Sequence, residues 1–269
     1  MTERTRIAPT PSGYLHAGNA IGFLITARLA QERKATLRLR IDDLDAERSR
    51  PAYIADIFDS LEWLGIRRDE GPTGPEDQAA RWSQELRIPR YQELLSELAA
   101  AGHLYGCTCS RQEIIACSCR EERITLDAPA VSWRLRVPDT CSLEVVGFND
   151  RTRVDLAGLL HDPVLRQRTG RPAYQIASLA DDVDHGITFI VRGVDLLPST
   201  ACQLYLAQLL GLGTFAHVRF LHHPLITDAK GNKLSKSEGA SSLRAMRQAG
   251  IAPGALRRQA QTMLEGSLK

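Results

Sequence analysis

The feature that most limits the fold is an alternation of strand-like and helix-like segments near the start of the chain. RTRIAP reads as a short strand, and residues 19 to 33 carry a helical pattern. ATLRLRI then alternates, with Leu37, Leu39 and Ile41 on one face. Pro51 is suited to the first turn of a helix that runs to Trp63 and Leu64. Another helix covers about residues 87 to 101, with Gly102 placed to close it. Strand, helix, strand, helix at such short spacing predicts a parallel sheet with crossover helices.

The alternation returns later. PAYQIASLADD reads as a helix, GITFIVRG as a buried strand, PSTACQLYLAQLLG as a helix and VRFLHHPLI as a strand. The polar stretch DAKGNKLSKSEG follows, then two short helices. Residues 103 to 170 break the pattern: a cysteine cluster, then VSWRLRV, then short stretches interrupted by Pro and Gly. They read as an inserted α+β module. The expected organisation is therefore α/β, with 1–102 and 171–240 as two halves of one domain. Residues 103–170 form the insert and 241–269 a short helical end.

Length and composition fit one large globular domain or two smaller ones, with 43% hydrophobic and 25% charged residues among 269. No run approaches the roughly 18 apolar residues of a membrane span. The N-terminal MTERTRIAPT lacks the apolar core of a signal peptide. A cytoplasmic protein that avoids membranes is expected, and a monomer. Net charge is +2, but Lys230 to Lys269 carries +6, which leaves −4 on the rest. A basic end of this kind faces either a polyanion or simply solvent.

In an open parallel sheet, ligands bind beyond the C-terminal ends of the strands. The first strand leads there into PTPSGYLHAGN, residues 9 to 19. Taken locally, this is a loop in which Ser12 or Asn19 caps the next helix. The other strand ends add Asp42, Asp43 and Asp45, then Arg192, Gly193 and Asp195, then His222, His223 and a lysine loop. Gly18 and Asn19 sit at a helix N-terminus, which favours anions. His16 adds a donor, and Lys233 and Lys236 add two ammonium groups three residues apart. Together they fit a nucleotide whose phosphate is attacked.

PTPSGYLHAGN resembles the HIGH signature of class I aminoacyl-tRNA synthetases, in the form of the glutamyl branch, and KLSKS resembles KMSKS. RIAPTPSGYLHAGN, LRIDDLDAERS and ITFIVRGVDLLPST are similar to glutamyl-tRNA synthetases, so the likeness runs from Arg6 to Gly239. The resemblance implies a Rossmann-like catalytic core that joins glutamate to ATP, with magnesium accompanying the nucleotide. It places His16, Lys233 and Lys236 in catalysis, and His16, Gly18, Asn19, Lys233 and Lys236 on ATP. Arg6, Ala8, Thr10, Asp42, Tyr174 and Arg192 fall on the family's glutamate site. Two arginines suit a substrate with two carboxylates, and an acid at position 42 suits its ammonium. The family usually has Glu at position 42 and Ser at position 10; here Asp42 is one methylene shorter.

Only 32 residues follow Ser237, where a glutamyl-tRNA synthetase carries its anticodon-binding region. That architecture resembles the truncated paralogues, the glutamyl-Q tRNA(Asp) synthetases. These place glutamate on queuosine in the anticodon of aspartate tRNA. A tRNA is then expected along the basic end, through Arg244, Arg247, Arg257 and Arg258. Activation for a non-tRNA acceptor, or an inactive RNA-binding role, are the competing readings.

YGCTCSRQEIIACSCR holds two Cys-x-Cys pairs, Cys107, Cys109, Cys117 and Cys119. These four thiols read either as zinc ligands or as reduced, buried cysteines. The segment resembles the family's zinc region, shortened. The tyrosine ligand expected there is missing, with Cys117 close to its place.

Overall fold

The computed structural model describes residues 2–110, 113, 117–122, 124–226 and 242–268. β1 (Arg4–Ile7) and β2 (Thr36–Leu39) pair in parallel, from Arg4 opposite Thr36 to Ile7 opposite Leu39. The crossover between them is α1 (Ala17–Glu32). α2 (Pro51–Trp63) begins on Pro51, where a missing N–H costs nothing. The one-turn α3 (Pro75–Asp77) leads through a π turn at Gln78–Trp82 and a 3₁₀ turn to α4 (Ile88–Ala100). Gly102 ends α4 at φ +74°, the left-handed conformation glycine adopts most readily.

The middle of the chain is antiparallel. It comprises β3 (Leu104–Cys107), β4 (Ser132–Leu135), β5 (Ser142–Val146), β6 (Arg151–Asp155), the one-turn α5 (Leu156–Leu159) and β7 (Val164–Arg166). These strands form two sheets, β3-β4-β7 and β5-β6. Parallel pairing resumes after α6 (Tyr174–Asp184). β8 (Phe189–Gly193) lies beside β9 (Arg219–His223), joined by α7 (Leu197–Leu209). α8 (Leu243–Gln248) and α9 (Gly254–Ser267) complete the described chain.

The two parallel pairs meet at β1 and β8. Thr188 N–H donates to the Arg4 carbonyl (2.8 Å) and Thr5 Oγ1 to the Phe189 carbonyl (2.8 Å). The join is thus made through two threonines rather than a regular ladder, in the order β2, β1, β8, β9. All four strands end at one edge. Both faces are covered, because alternate strand residues enter different cores. Phe189 and Leu221 pack with Ile25, Ile57 and Leu264, whereas Ile190 and Phe220 pack with Tyr91, Leu94 and Leu206. This double burial explains the apolar run Phe189, Ile190 and Val191 that opens β8.

The basic end behaves differently from expectation. Arg247 donates to Asp56 (2.7 Å) and Ser60 (2.6 Å) on α2, and Arg257 to the Leu64 carbonyl (3.1 Å). Arg244 lies over the Tyr14 ring, 4.7 Å from its centroid, and donates to the Tyr14 hydroxyl. These three arginines anchor α8 and α9 to the body, which accounts for part of the local charge. No helix among the described residues is long and apolar enough to cross a membrane.

Candidate active site

The turn between β1 and α1 is built around His16. His16 is the N-cap of α1, with extended backbone angles. Its Nδ1 accepts from Gly18 N–H (3.1 Å), and its own N–H donates to Asn19 Oδ1 (3.1 Å). The cap is therefore neither Ser12 nor Asn19 alone. The histidine caps, and Asn19 completes a reciprocal capping box. A nitrogen that accepts carries no proton, so the ring proton sits on Nε2. Gly18 N–H is correspondingly spent on the cap, and His16 itself lines the cleft.

Around this turn the strand ends enclose a cleft of about 400 Å³, a size typical of small-molecule sites. Arg6, Ala8, Thr10, His16, Gly18, Asn19, Asp42, Tyr174 and Arg192 all line it. Nine expected residues, drawn from β1, the turn after it, α1, β8, α6 and the loop after β2, thus share one space. Lys233 and Lys236 lie outside the described residues.

A buried ionic network forms one end of the cleft. Arg40 grips Asp42 with two bonds, Nε to Oδ1 (2.6 Å) and Nη2 to Oδ2 (3.1 Å). Its Nη1 reaches Asp182 Oδ1 (2.8 Å), which also receives Arg6 Nε (2.9 Å). Neighbouring Asp181 accepts from Gln84 (2.8 Å), Arg87 (2.6 Å) and Tyr91 (2.8 Å). Burial opposes the Arg40 charge, but Asp42, Asp182 and Asp181 outweigh it and hold its pKa well above the ordinary arginine value. Burial also raises the Asp42 pKa against the pull of Arg40. Asp182 is held low despite its burial, by Arg6, Arg40 and Arg192.

Arg192 is the exception. It is 5% exposed. Its Nη1 has only neutral partners, Gln203 Oε1 (3.0 Å) and Thr200 Oγ1 (3.4 Å). Its Nε and Nη2 are buried with no partner, as is Asp182 Oδ2. No ion pair to Arg192 is formed among the described residues. A buried guanidinium with two idle donors costs free energy and fits a planar anion entering the cleft.

Arg40, Asp181, Asp182, Thr200 and Gln203 escape a reading of the sequence. Three of them carried a signal. Arg40 directly follows β2 in the alternating stretch ATLRLRI and is buried, so its side chain has to find buried partners. Asp181 and Asp182 follow an apolar helical run in ASLADD, on faces that pack inward. Asp43 is also accounted for: it accepts from Gln84 N–H and Gln78 Nε2, both at 2.8 Å, and braces the loop before α4.

The family model "tRNA synthetases class I (E and Q), catalytic domain" matches residues 3–132 and 130–263, which is nearly the whole chain. The chain belongs to that family. It is accordingly a ligase of the tRNA synthetase class. Among curated proteins it is 41% identical over 257 residues to glutamyl-Q tRNA(Asp) synthetase of Burkholderia orbicola strain MC0-3. That match covers 89% of this chain and 82% of the relative. It is 38% identical over 261 residues to the protein of the same name from Ralstonia nicotianae, covering 89% and 79%. Among solved structures, a glutamate tRNA ligase from Elizabethkingia meningosepticum, in complex with its amino acid, superposes with a TM-score of 0.71 at 25% identity. The overlap covers 89% of this chain and 53% of that one, so the chain spans about half the length of this synthetase.

Away from the cleft, the class I chain gathers its four clustered cysteines. Cys107, Cys109, Cys117 and Cys119 place their Sγ atoms within 4.8 Å of one another. Cys107 and Cys117 are 3.7 Å apart, and Cys109 and Cys119 3.5 Å. Four thiolates at zinc–sulfur distances of about 2.3 Å on a tetrahedron stand about 3.8 Å apart, so the donors fit a zinc ion. Gly106, between Tyr105 and Cys107, lets residues 124 and 125 close over this cluster. A side-chain carbon there would fall 2.8 Å from the Thr125 carbonyl and 2.9 Å from that of Ile124. Purified protein is expected to carry about one zinc per chain, and its removal to lower the melting temperature. Protein purified without chelator that contains no metal contradicts this assignment.

Proposed function

We propose that the chain activates L-glutamate with ATP and transfers the glutamyl group to queuosine in the anticodon of aspartate tRNA. The observation that carries the amino-acid half is Arg192: a buried guanidinium without an ion-pair partner among the described residues, in one cleft with Asp42 and Arg6. A dicarboxylate with an ammonium group suits that arrangement. The side-chain carboxylate meets Arg192, and the ammonium meets the acidic side of the network at Asp42. Arg40 holds Asp42 in place by its two-pronged grip. This grip also keeps the shortened side chain from turning away.

In the first step the glutamate α-carboxylate attacks the α-phosphorus of ATP. The bond to the β-phosphate oxygen breaks and pyrophosphate leaves. No protein nucleophile is required, so the residues orient and stabilise charge. His16 donates from Nε2 to the developing phosphate charge. Lys236 and Lys233 neutralise it further, and magnesium accompanies the nucleotide. In the second step a queuosine hydroxyl attacks the glutamyl carbonyl, an ester forms and AMP leaves.

The acceptor half rests on the names of the curated relatives, most of whose length the chain covers. A single-stranded anticodon base can be splayed into a cleft of this size. The four cysteines are proposed as a structural zinc site. Pyrophosphate exchange tests the first half. Exchange is expected with glutamate and to be far weaker with glutamine or aspartate, because a hydrogen-bonding site rejects analogues that leave its buried groups unpaired. Equal exchange with all three contradicts the assignment of Arg192.

A further inference from the structure

The ionic network fills one end of the cleft, and the opposite end has a different chemistry. There α1 faces the end of β9. His223, the last residue of β9, is 7% exposed and lines the cleft with Gly22, Leu225 and Ile226. It stands opposite Gly193 in the β8–β9 register. Its Nδ1 lies 2.9 Å from the Pro224 carbonyl. A carbonyl only accepts, so Nδ1 carries the proton and Nε2 keeps its lone pair. Burial lowers the pKa of the ring, which keeps it neutral. Nε2 is thus a fixed hydrogen-bond acceptor.

Gly22 leaves room along the Nε2 edge of the ring, where a side-chain carbon would lie 3.3 Å from His223 Nε2. The side toward Gly193 is taken by Asp195, whose Oδ1 would stand 2.4 Å from a side-chain carbon there. Leu225, Ile226 and Val191 give the same end of the cleft apolar walls, which suit the faces of a planar ring. Gly22 lies six residues beyond the cap His16, or about 9 Å along the helix. That span is comparable to a nucleoside.

We propose that His223 selects the nucleotide base, with Nε2 accepting the exocyclic amine of adenine. This rests on the reading of the cleft as an ATP site. Adenine presents an amino donor at the position where guanine presents a carbonyl acceptor. An acceptor with no proton to give pairs with the first and opposes the second. The residue therefore sets specificity without taking part in phosphoryl chemistry.

The test is glutamate-dependent pyrophosphate exchange with ATP, GTP and purine riboside triphosphate, which has hydrogen in place of the amine. Wild-type protein is expected to favour ATP over the purine analogue by about tenfold in kcat/KM, the worth of one neutral hydrogen bond. GTP should be disfavoured roughly a hundredfold or more, since it leaves the buried acceptor opposed. In His223→Leu the ratio of ATP to the purine analogue should fall close to one. His223→Gln, which keeps a carbonyl acceptor, should retain part of it and serves if the leucine variant does not fold. An unchanged ratio in both variants overturns the base-selecting role. So does a variant effect confined to deoxyribose analogues, which would move the residue to the sugar. Wild-type protein that shows no exchange with any triphosphate overturns the ATP reading itself. Exchange with ATP and unaltered base preference overturns only the role of His223.

Discussion

Replacing His16 with alanine is expected to lower glutamate-dependent pyrophosphate exchange roughly a hundredfold, the scale for losing one preorganised donor to developing charge. The reason lies in the cap. Gly18 N–H occupies Nδ1, and Asn19 holds the backbone of His16, so the ring is fixed with its proton on Nε2. Alanine removes that donor and the helix cap together, and loss of the cap alone costs about 1 kcal/mol of stability. His16→Asn separates the two effects, because asparagine is among the best N-caps. The asparagine variant should melt near the wild-type temperature and remain as slow as the alanine variant. Lys236→Ala should have an effect of similar size on exchange. Near-wild-type exchange in folded His16→Asn protein contradicts the phosphate role.

Arg192→Leu should raise the KM for glutamate by roughly a hundredfold or more, the range for truncating one partner of a buried, hydrogen-bonded charge pair. Its effect on stability should run the other way. In the ligand-free protein Nε and Nη2 of Arg192 are buried without partners, and such groups cost about 1–3 kcal/mol. Removing them should leave the melting temperature unchanged or higher. Saturating glutamate should raise the melting temperature of the wild type, by mass action, and not that of the variant. A variant that loses stability as well as glutamate affinity would indicate that Arg192 supports the fold rather than the substrate.

The alternation of periods made the parallel strands and their helices legible, because a strand covered on both faces and an amphipathic helix leave different patterns. The turn at residues 9 to 19 was legible as part of a cleft at the strand ends, which it lines. Its geometry was not, since the choice among Ser12, His16 and Asn19 as cap depends on backbone angles that composition does not encode. The buried network was missed for a related reason. Arg40 and Asp182 lie 142 positions apart, and nothing local pairs them. Arg6 lines the cleft, and its Nε is held by Asp182, a partner 176 positions away. Three of the C-terminal arginines have partners within the body that their clustering did not announce. Clustered charge looked like a surface for a polyanion. Arg247 instead meets Asp56, which is 4% exposed, and anchors α8 to α2.

Transfer of label is the most direct test of the account as a whole. The protein, [14C]glutamate and ATP are incubated with three acceptors: tRNA(Asp) containing queuosine, tRNA(Asp) from cells unable to make it, and glutamate tRNA. Label is expected on the first alone. After nuclease digestion it should stay with an internal anticodon fragment and not with the 3′-terminal adenosine, because the ester is made at the anticodon. Label on the 3′-adenosine of glutamate tRNA, or equal label on tRNA(Asp) with and without queuosine, would contradict it.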